Sequence, residues 1–208
     1  MTDFLGQRRL FVFRLIRIIT KAAFYPFFSI RIKGLENIPD RSSFILLPKH
    51  QRWEDIPLIG ASIKRPLYYI AKHELFKNSF SSWFISSLGG LPLNRSHPSS
   101  SRKSMEFMIE MIRKKEGIVI FPEGTYYRES MGPGHRGLIR MILYRLDTAL
   151  IPVGLRYVRG HSRTPVRIKI GRPVYGGPSS NAYDIVDYIM KEIAVLSGLV
   201  KRENVVRF

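Results

Sequence analysis

The apolar positions along the chain fall alternately into short continuous runs and helical stripes. Residues 42–48 (SSFILLP) form a short apolar run and predict a buried strand. Residues 56–63 follow an acidic residue and predict a helix, and residues 67–71 (LYYIA) a strand. Residues 79–87 predict a helix and residues 97–101 (HPSSS) a loop. Over residues 102–116, Met105, Met108, Ile109 and Ile112 share one face of a helix, with Met105, Met108 and Met111 filling gaps in a core. Gly117 is expected to stop that helix and to precede a buried strand over 118–121. A helix over 137–148 and a strand over 150–157 follow. Over 166–170, Val166, Ile168 and Ile170 alternate with Arg167 and Lys169, the signature of a strand with one buried face. Residues 183–196 place Val186, Ile189, Met190 and Ile193 on one side of a last helix. This alternation predicts an α/β fold: a single domain with a mixed, largely parallel sheet flanked by helices. In such sheets, sites form in the loops beyond the strand ends.

The first 33 residues depart from this pattern. They hold seven basic residues and one acid, a net +6, among Phe11, Phe13, Leu15, Ile16, Ile18, Ile19, Phe24, Phe27 and Phe28. Arg14, Arg17 and Lys21 follow i, i+3, i+7 spacing and so share a helical stripe. A membrane-spanning helix needs about 20 mostly apolar residues, and here basic residues interrupt every run. A signal peptide carries its charges ahead of the apolar stretch, not inside it. The pattern predicts an amphipathic helix lying in a membrane interface, its cations reaching toward anionic headgroups. Packing of the helix on its own domain is the alternative. The chain is accordingly divided into a basic, membrane-associating segment (1–30) and an α/β domain (31–208), to which any catalytic role falls. The expected location is membrane-associated, peripheral or monotopic, on the cytoplasmic face. Trp53 and Trp83 are candidate interface anchors or core residues.

Composition narrows the chemistry. The 208 residues carry 34 Lys and Arg against 16 Asp and Glu, a net +18, and no Cys. Disulfides, iron–sulfur clusters and a Cys nucleophile are therefore excluded. The five His residues are scattered without ligand spacing, so no metal is expected. The charge calls for an anionic partner: a membrane, phosphorylated small molecules or nucleic acid. A second basic stretch, 128–172, has ten basic residues against Glu129 and Asp147. No run of Lys and Arg reads as a nucleic-acid tail.

Four short blocks carry candidate chemistry. In the first, Lys49-His50-Gln51-Arg52-Trp53-Glu54-Asp55, four residues separate His50 from Asp55. His is the usual neutral-pH general base, and a carboxylate on its second ring nitrogen orients it. Asp55 equally suits a helix N-cap. In the second, Gly89-Gly90-Leu91-Pro92-Leu93-Asn94-Arg95, the glycines permit close backbone approach and Arg95 is a candidate phosphate fork. A hairpin turn with a surface Arg reads equally well. The third, Phe121-Pro122-Glu123-Gly124-Thr125, sets an acid, a glycine and a hydroxyl at a strand end. The fourth, Ile151-Pro152-Val153-Gly154, has a proline inside a strand, which suggests an edge or a bend. Gly132-Pro133-Gly134-His135-Arg136-Gly137 formally matches a dinucleotide fingerprint, but it lacks the preceding strand and the later acid.

In this order and spacing the four blocks resemble those of the glycerolipid (lysophospholipid) acyltransferase family, over roughly residues 30–175. The resemblance implies transfer of a fatty acyl group from acyl-CoA or acyl-carrier protein to the free hydroxyl of a lysophospholipid acceptor. That acceptor would be 1-acylglycerol-3-phosphate and the product phosphatidic acid, with no cofactor beyond the co-substrate. His50 would be the general base and Asp55 would hold its tautomer. Arg95 would hold the acceptor phosphate, and Glu123, Gly124 and Thr125 would line the acceptor site. Three departures stand out: Lys49 where the family often has Asn, Asn94 where Asp is common, and Tyr126 where Arg or Ser often follows. Arg128 and Arg136 are candidates for the phosphate contact missing at 126, Arg136 at a helix N-terminus suited to anions. Tyr126 keeps a second lysolipid acceptor open. A basic nucleic-acid-binding protein is the alternative from another class. It rests on net charge alone and leaves the four blocks unexplained, so no nucleic-acid partner is expected.

Overall fold

In the computed structural model, residues 2–72, 89–93, 98–134, 136–160, 162–176 and 181–200 are described. The helix expected over 79–87, together with Trp83, lies outside them. Seven strands form one sheet: β1 (Phe28–Lys33), β2 (Phe44–Pro48), β3 (Leu67–Lys72), β4 (Gly90–Leu93), β5 (Gly117–Val119), β6 (Ala149–Tyr157) and β7 (Thr164–Ile170). Their order is β1-β7-β6-β2-β5-β3-β4. The five strands from β6 to β4 run parallel, β7 runs antiparallel to β6, and β1 runs parallel to β7. The sheet is mixed and largely parallel, as the alternating pattern predicts. β1 begins at Phe28, inside the stretch read as an N-terminal segment.

Five helices accompany the sheet among the described residues: α1 (Thr2–Phe24), α2 (Asp55–Ser62), α3 (Pro98–Arg113), α4 (Arg136–Arg145) and α5 (Ala182–Leu196). The central strand β2 is buried on both faces, which is why FILLP reads as a continuous apolar run. Phe44 and Leu46 point to a core shared with Leu58 and Ile59 of α2 and with Val153 and Leu155 of β6. Ile45 and Leu47 point to the opposite core, with Met105, Met108 and Met111 of α3, Ile139 and Ile142 of α4, and Ile189 and Ile193 of α5. The methionines fill the core as their spacing predicts.

Two boundaries differ from expectation. Most of the predicted 97–101 loop is helical, because α3 starts at Pro98; a proline fits a first helical turn, where its missing N–H has no partner to lose. Gly117 does not stop α3. The helix closes on Lys115, at φ 59°, with Glu116 N donating to Met111 O and Lys115 N donating to Ile112 O. Gly117 instead lies in β5, where a Cβ would stand 2.5 Å from the Phe44 ring.

α1 is turned unusually. Arg17, from the basic stripe, donates Nε to Ala61 O at 3.2 Å and so faces α2. Phe11, Ile18 and Ile19 are 67%, 64% and 56% exposed. A helix packed for its own sake buries the apolar stripe and exposes the basic one; here apolar side chains face outward. No helix among the described residues is long and apolar enough to cross a membrane.

α5 crosses β6 at Gly154, where a Cβ would lie 2.3 Å from the Leu196 carbonyl carbon. Backbone, not a flexible side chain, blocks that space. Gly154→Ala is therefore expected to cost about 1–3 kcal/mol, the usual range for overpacking, read as a lowered midpoint in chemical denaturation with an unchanged slope.

Candidate active site

β2 ends at Pro48, and the chain turns through Lys49–Glu54 into α2, which begins at Asp55. This turn lies at the C-terminal edge of the parallel strands, where α/β sheets place their sites. Asp55 is fully buried and four donors converge on its carboxylate. Oδ2 accepts from Gln51 N at 2.5 Å and Arg52 N at 2.8 Å, and lies 3.1 Å from His50 Nδ1. Oδ1 accepts from the Tyr157 hydroxyl at 2.6 Å. Asp55 does not cap α2; Glu54 holds the cap position without a side-chain cap bond. The carboxylate serves the turn and the imidazole rather than the helix end.

His50 is held from both sides of its ring. Phe121 stacks on it at 3.9 Å and Tyr126 meets it edge-on at 4.5 Å. With Nδ1 against Asp55 and the side chain 10% exposed, Nε2 is the nitrogen left for an incoming group. Tyr157 comes from the end of β6. Burial, reinforced by the Asp55 charge and hydrogen bond, pushes its phenol well above the ordinary tyrosine range, so it stays a donor. Arg52 lies over the Tyr157 ring at 4.6 Å and Phe28 meets that ring edge-on at 6.2 Å. Phe28 stacks on Phe24 of α1, which meets Trp53 of the turn at 5.7 Å. Trp53 is 60% exposed, so it is not a core residue.

A second buried ion pair locks the turn to the loop after β5. Lys49 Nζ lies 2.8 Å from both Glu123 oxygens and donates to Tyr127 O at 2.5 Å. Glu123 also accepts from His50 N at 3.0 Å and from Gly132 N at 2.8 Å. Desolvation lowers the Lys49 pKa below the usual lysine range, opposed by the hydrogen bond and charge of Glu123 and by the Asp55 charge. Expected on the acceptor side, Glu123 is turned inward and both its oxygens are occupied within the protein.

The other sequence-derived site residues fall as follows. Phe121 to Gly124 form a turn closed by Gly124 N donating to Phe121 O, with Pro122 second in the turn and Gly124 at φ 65°. Thr125 is exposed beside that turn. Arg136 is the first residue of α4, and its side chain lies outside the described ones. Arg95 and Asn94 lie outside the described residues. The Gly89-Gly90 pair does not turn a hairpin, since β4 pairs parallel to β3; Gly89, at φ 78°, lets the backbone approach Leu67 O. β6 is not an edge strand either. Pro152 accepts from Gly171 N where the β7 ladder has ended, so its missing N–H costs no ladder bond. The sequence reading passed over Tyr157. Its alternation with Val153 and Leu155 marks its face of β6, but that it meets Asp55 depends on strand order.

Comparison with known proteins follows the same lines. The model of the Acyltransferase family matches residues 29–156. The chloroplastic 1-acyl-sn-glycerol-3-phosphate acyltransferase BAT2 of Brassica napus is 27% identical over 205 residues, covering 93% of this chain and 58% of its own. The lyso-ornithine lipid O-acyltransferase of Pseudomonas aeruginosa is 30% identical over 133 residues, 64% of this chain and 49% of its own. The crystal structure of the 1-acyl-sn-glycerophosphate (LPA) acyltransferase PlsC from Thermotoga maritima superposes with a TM-score of 0.74 at 23% identity, covering 98% of this chain and 84% of that one. This last likeness establishes the fold. The chain spans about half the length of the curated relatives it matches. The matched stretch runs from β1 to Arg156 and takes in His50, Asp55 and the Phe121–Thr125 loop, so the chain belongs to the Acyltransferase family.

Proposed function

We propose that the chain transfers a fatty acyl group from acyl-CoA or acyl-carrier protein to the free hydroxyl of 1-acylglycerol-3-phosphate, forming phosphatidic acid. The observation that carries this reading is the His50–Asp55 pair, with Asp55 saturated by donors and Nε2 of His50 left open. Asp55 holds the imidazole in the tautomer whose Nε2 accepts a proton. The acceptor hydroxyl gives its proton to Nε2 while its oxygen attacks the thioester carbonyl carbon. The carbon–sulfur bond then breaks, the ester bond remains, and the proton passes to the departing thiolate. No protein nucleophile enters, in keeping with a chain that has no Cys.

Arg95 would hold the acceptor phosphate, with Arg136 a candidate for a second contact; Gly124 and Thr125 would line the acceptor site, and Glu123 would serve it by fixing the loop that carries them. Tyr126 favours a second reading. Its ring stands edge-on to His50 at the position where the family often carries a cation, and a phenol brings no positive charge to a phosphate. A lysolipid with a different headgroup, taken by the same base, is that second reading.

The exposed apolar side of α1 supports a membrane-associating role for the N-terminal segment, with Trp53 beside it at the catalytic turn. A cation turned to the domain and apolar side chains turned outward favour a lipid surface over packing of α1 for its own sake.

His50→Ala is expected to lower kcat by about 10²–10⁴-fold, the range for loss of a general base, with the fold retained by circular dichroism; retained turnover would remove the mechanism. Arg95→Ala is expected to raise the KM for 1-acylglycerol-3-phosphate about tenfold while kcat holds. In a panel of lysolipids with labelled acyl-CoA, product from another headgroup alone would select the second acceptor. Phe11→Glu with Ile18→Glu is expected to weaken binding to anionic vesicles about tenfold or more; undiminished sedimentation with the vesicles would move the membrane contact elsewhere.

A further inference from the structure

β1, β7 and β6 carry a cationic lattice that the reaction does not use. Along β1 and β7, Ile30, Ile32, Val166 and Ile168 face the core, and Arg31, Lys33, Arg167 and Lys169 are exposed on the other face. The register sets Arg31 beside Arg167 and Lys33 beside Lys169. Across the antiparallel ladder Arg167 stands beside Arg156, also exposed, and Lys169 beside Gly154. Three arginines thus form a row over three strands, with two lysines in the row below. Strands lie about 4.8 Å apart and alternate residues about 7 Å apart, so five positive charges share a face roughly 10 Å by 7 Å at the backbone. Among the described residues none of the five forms an ion pair.

Like charges directly opposite one another on a sheet are destabilising, so the fold gains nothing from this lattice. Cations do protect an edge strand from pairing with another chain, and that accounts for Arg31 and Lys33 on β1. Arg156 lies over Gly198 at the end of α5, where a helix terminus favours a cation. Neither reason covers Arg167 and Lys169.

We propose that this face docks an acidic acyl-carrier protein that presents the acyl donor, an inference that rests on the acyl-transfer reading above. Three observations favour such a partner. The patch spreads five exposed cations over three strands beside the end of α5, an extent that suits an acidic protein surface more than one small anion. It lies on the side of the sheet opposite the core where Phe24 and Phe28 pack, so a bilayer seated on α1 does not cover it. It also stands level with the catalytic turn: Gln51 Nε2 donates to Leu155 O at 2.7 Å, and Arg156 is the next residue. A flexible arm from a docked carrier has only a few strand spacings of about 5 Å to cross to reach His50.

The test compares wild-type protein with two paired variants, Arg31→Gln/Lys33→Gln and Arg167→Gln/Lys169→Gln, each checked for an unchanged circular dichroism spectrum. The Arg167/Lys169 pair is expected to raise the KM for acyl-carrier protein donor about tenfold, to leave kcat and the KM for acyl-CoA unchanged, and to weaken the salt dependence of carrier binding. An unchanged KM in both variants overturns the proposal, as does an equal rise with acyl-CoA. Loss of anionic vesicle or duplex DNA binding with carrier affinity intact assigns the face to that partner instead. If neither donor supports transfer, the acyl-transfer reading fails, and fluorescence anisotropy of labelled carrier still decides whether this face binds it.

Discussion

Two buried carboxylates of opposite employment hold the turn between β2 and α2 together. Among the described residues no lysine or arginine pairs with Asp55; backbone amides, a phenol and the imidazole solvate it. Glu123 is neutralised by Lys49 and in turn fixes the backbone at His50 and Gly132. Burying such charges costs several kcal/mol each unless every lone pair finds a donor, and removing one partner of a buried pair costs about 3–5 kcal/mol. The arrangement therefore ties three chain segments, the ends of β2 and β6 and the loop after β5, to a single geometry. His50 inherits its position from both groups: its ring from Asp55 and its backbone from Glu123.

Much of this was legible before any coordinates. Apolar runs of period two and stripes of period 3.6 located the elements of both core faces, and the spacing of His50 and Asp55 brought them together on a turn. What escaped depended on strand order. Whether β6 lies beside β2 decides that Tyr157 meets Asp55, and no local pattern carries that adjacency. β1 was hidden because FSIRIK begins in a segment dominated by basic and apolar residues with a helical stripe. Gly117 read as a helix stop because its need for space comes from Phe44, distant in sequence. Glu123 read as a substrate contact because an acid at a strand end looks available until its partner, Lys49, is seen beneath it. The Lys-for-Asn departure was visible; its complement was not.

Part of the charge of the chain gathers on two faces. On one, α1 turns Arg17 inward and apolar side chains outward, suited to a lipid surface. On the other, exposed cations stand in two rows over three strands. About half of the net +18 thus falls on two surfaces of different chemistry on either side of one sheet.

The ring contacts running from Phe24 through Phe28 to Tyr157 join the first of those faces to the buried carboxylate. α1 and the His50–Asp55 pair are consequently parts of one packed unit. Without α1, Tyr157 would keep its bond to Asp55 but lose the aromatic buttress behind it. The first helix thus bears on the aim of the imidazole through three rings, whatever surface its outer side meets.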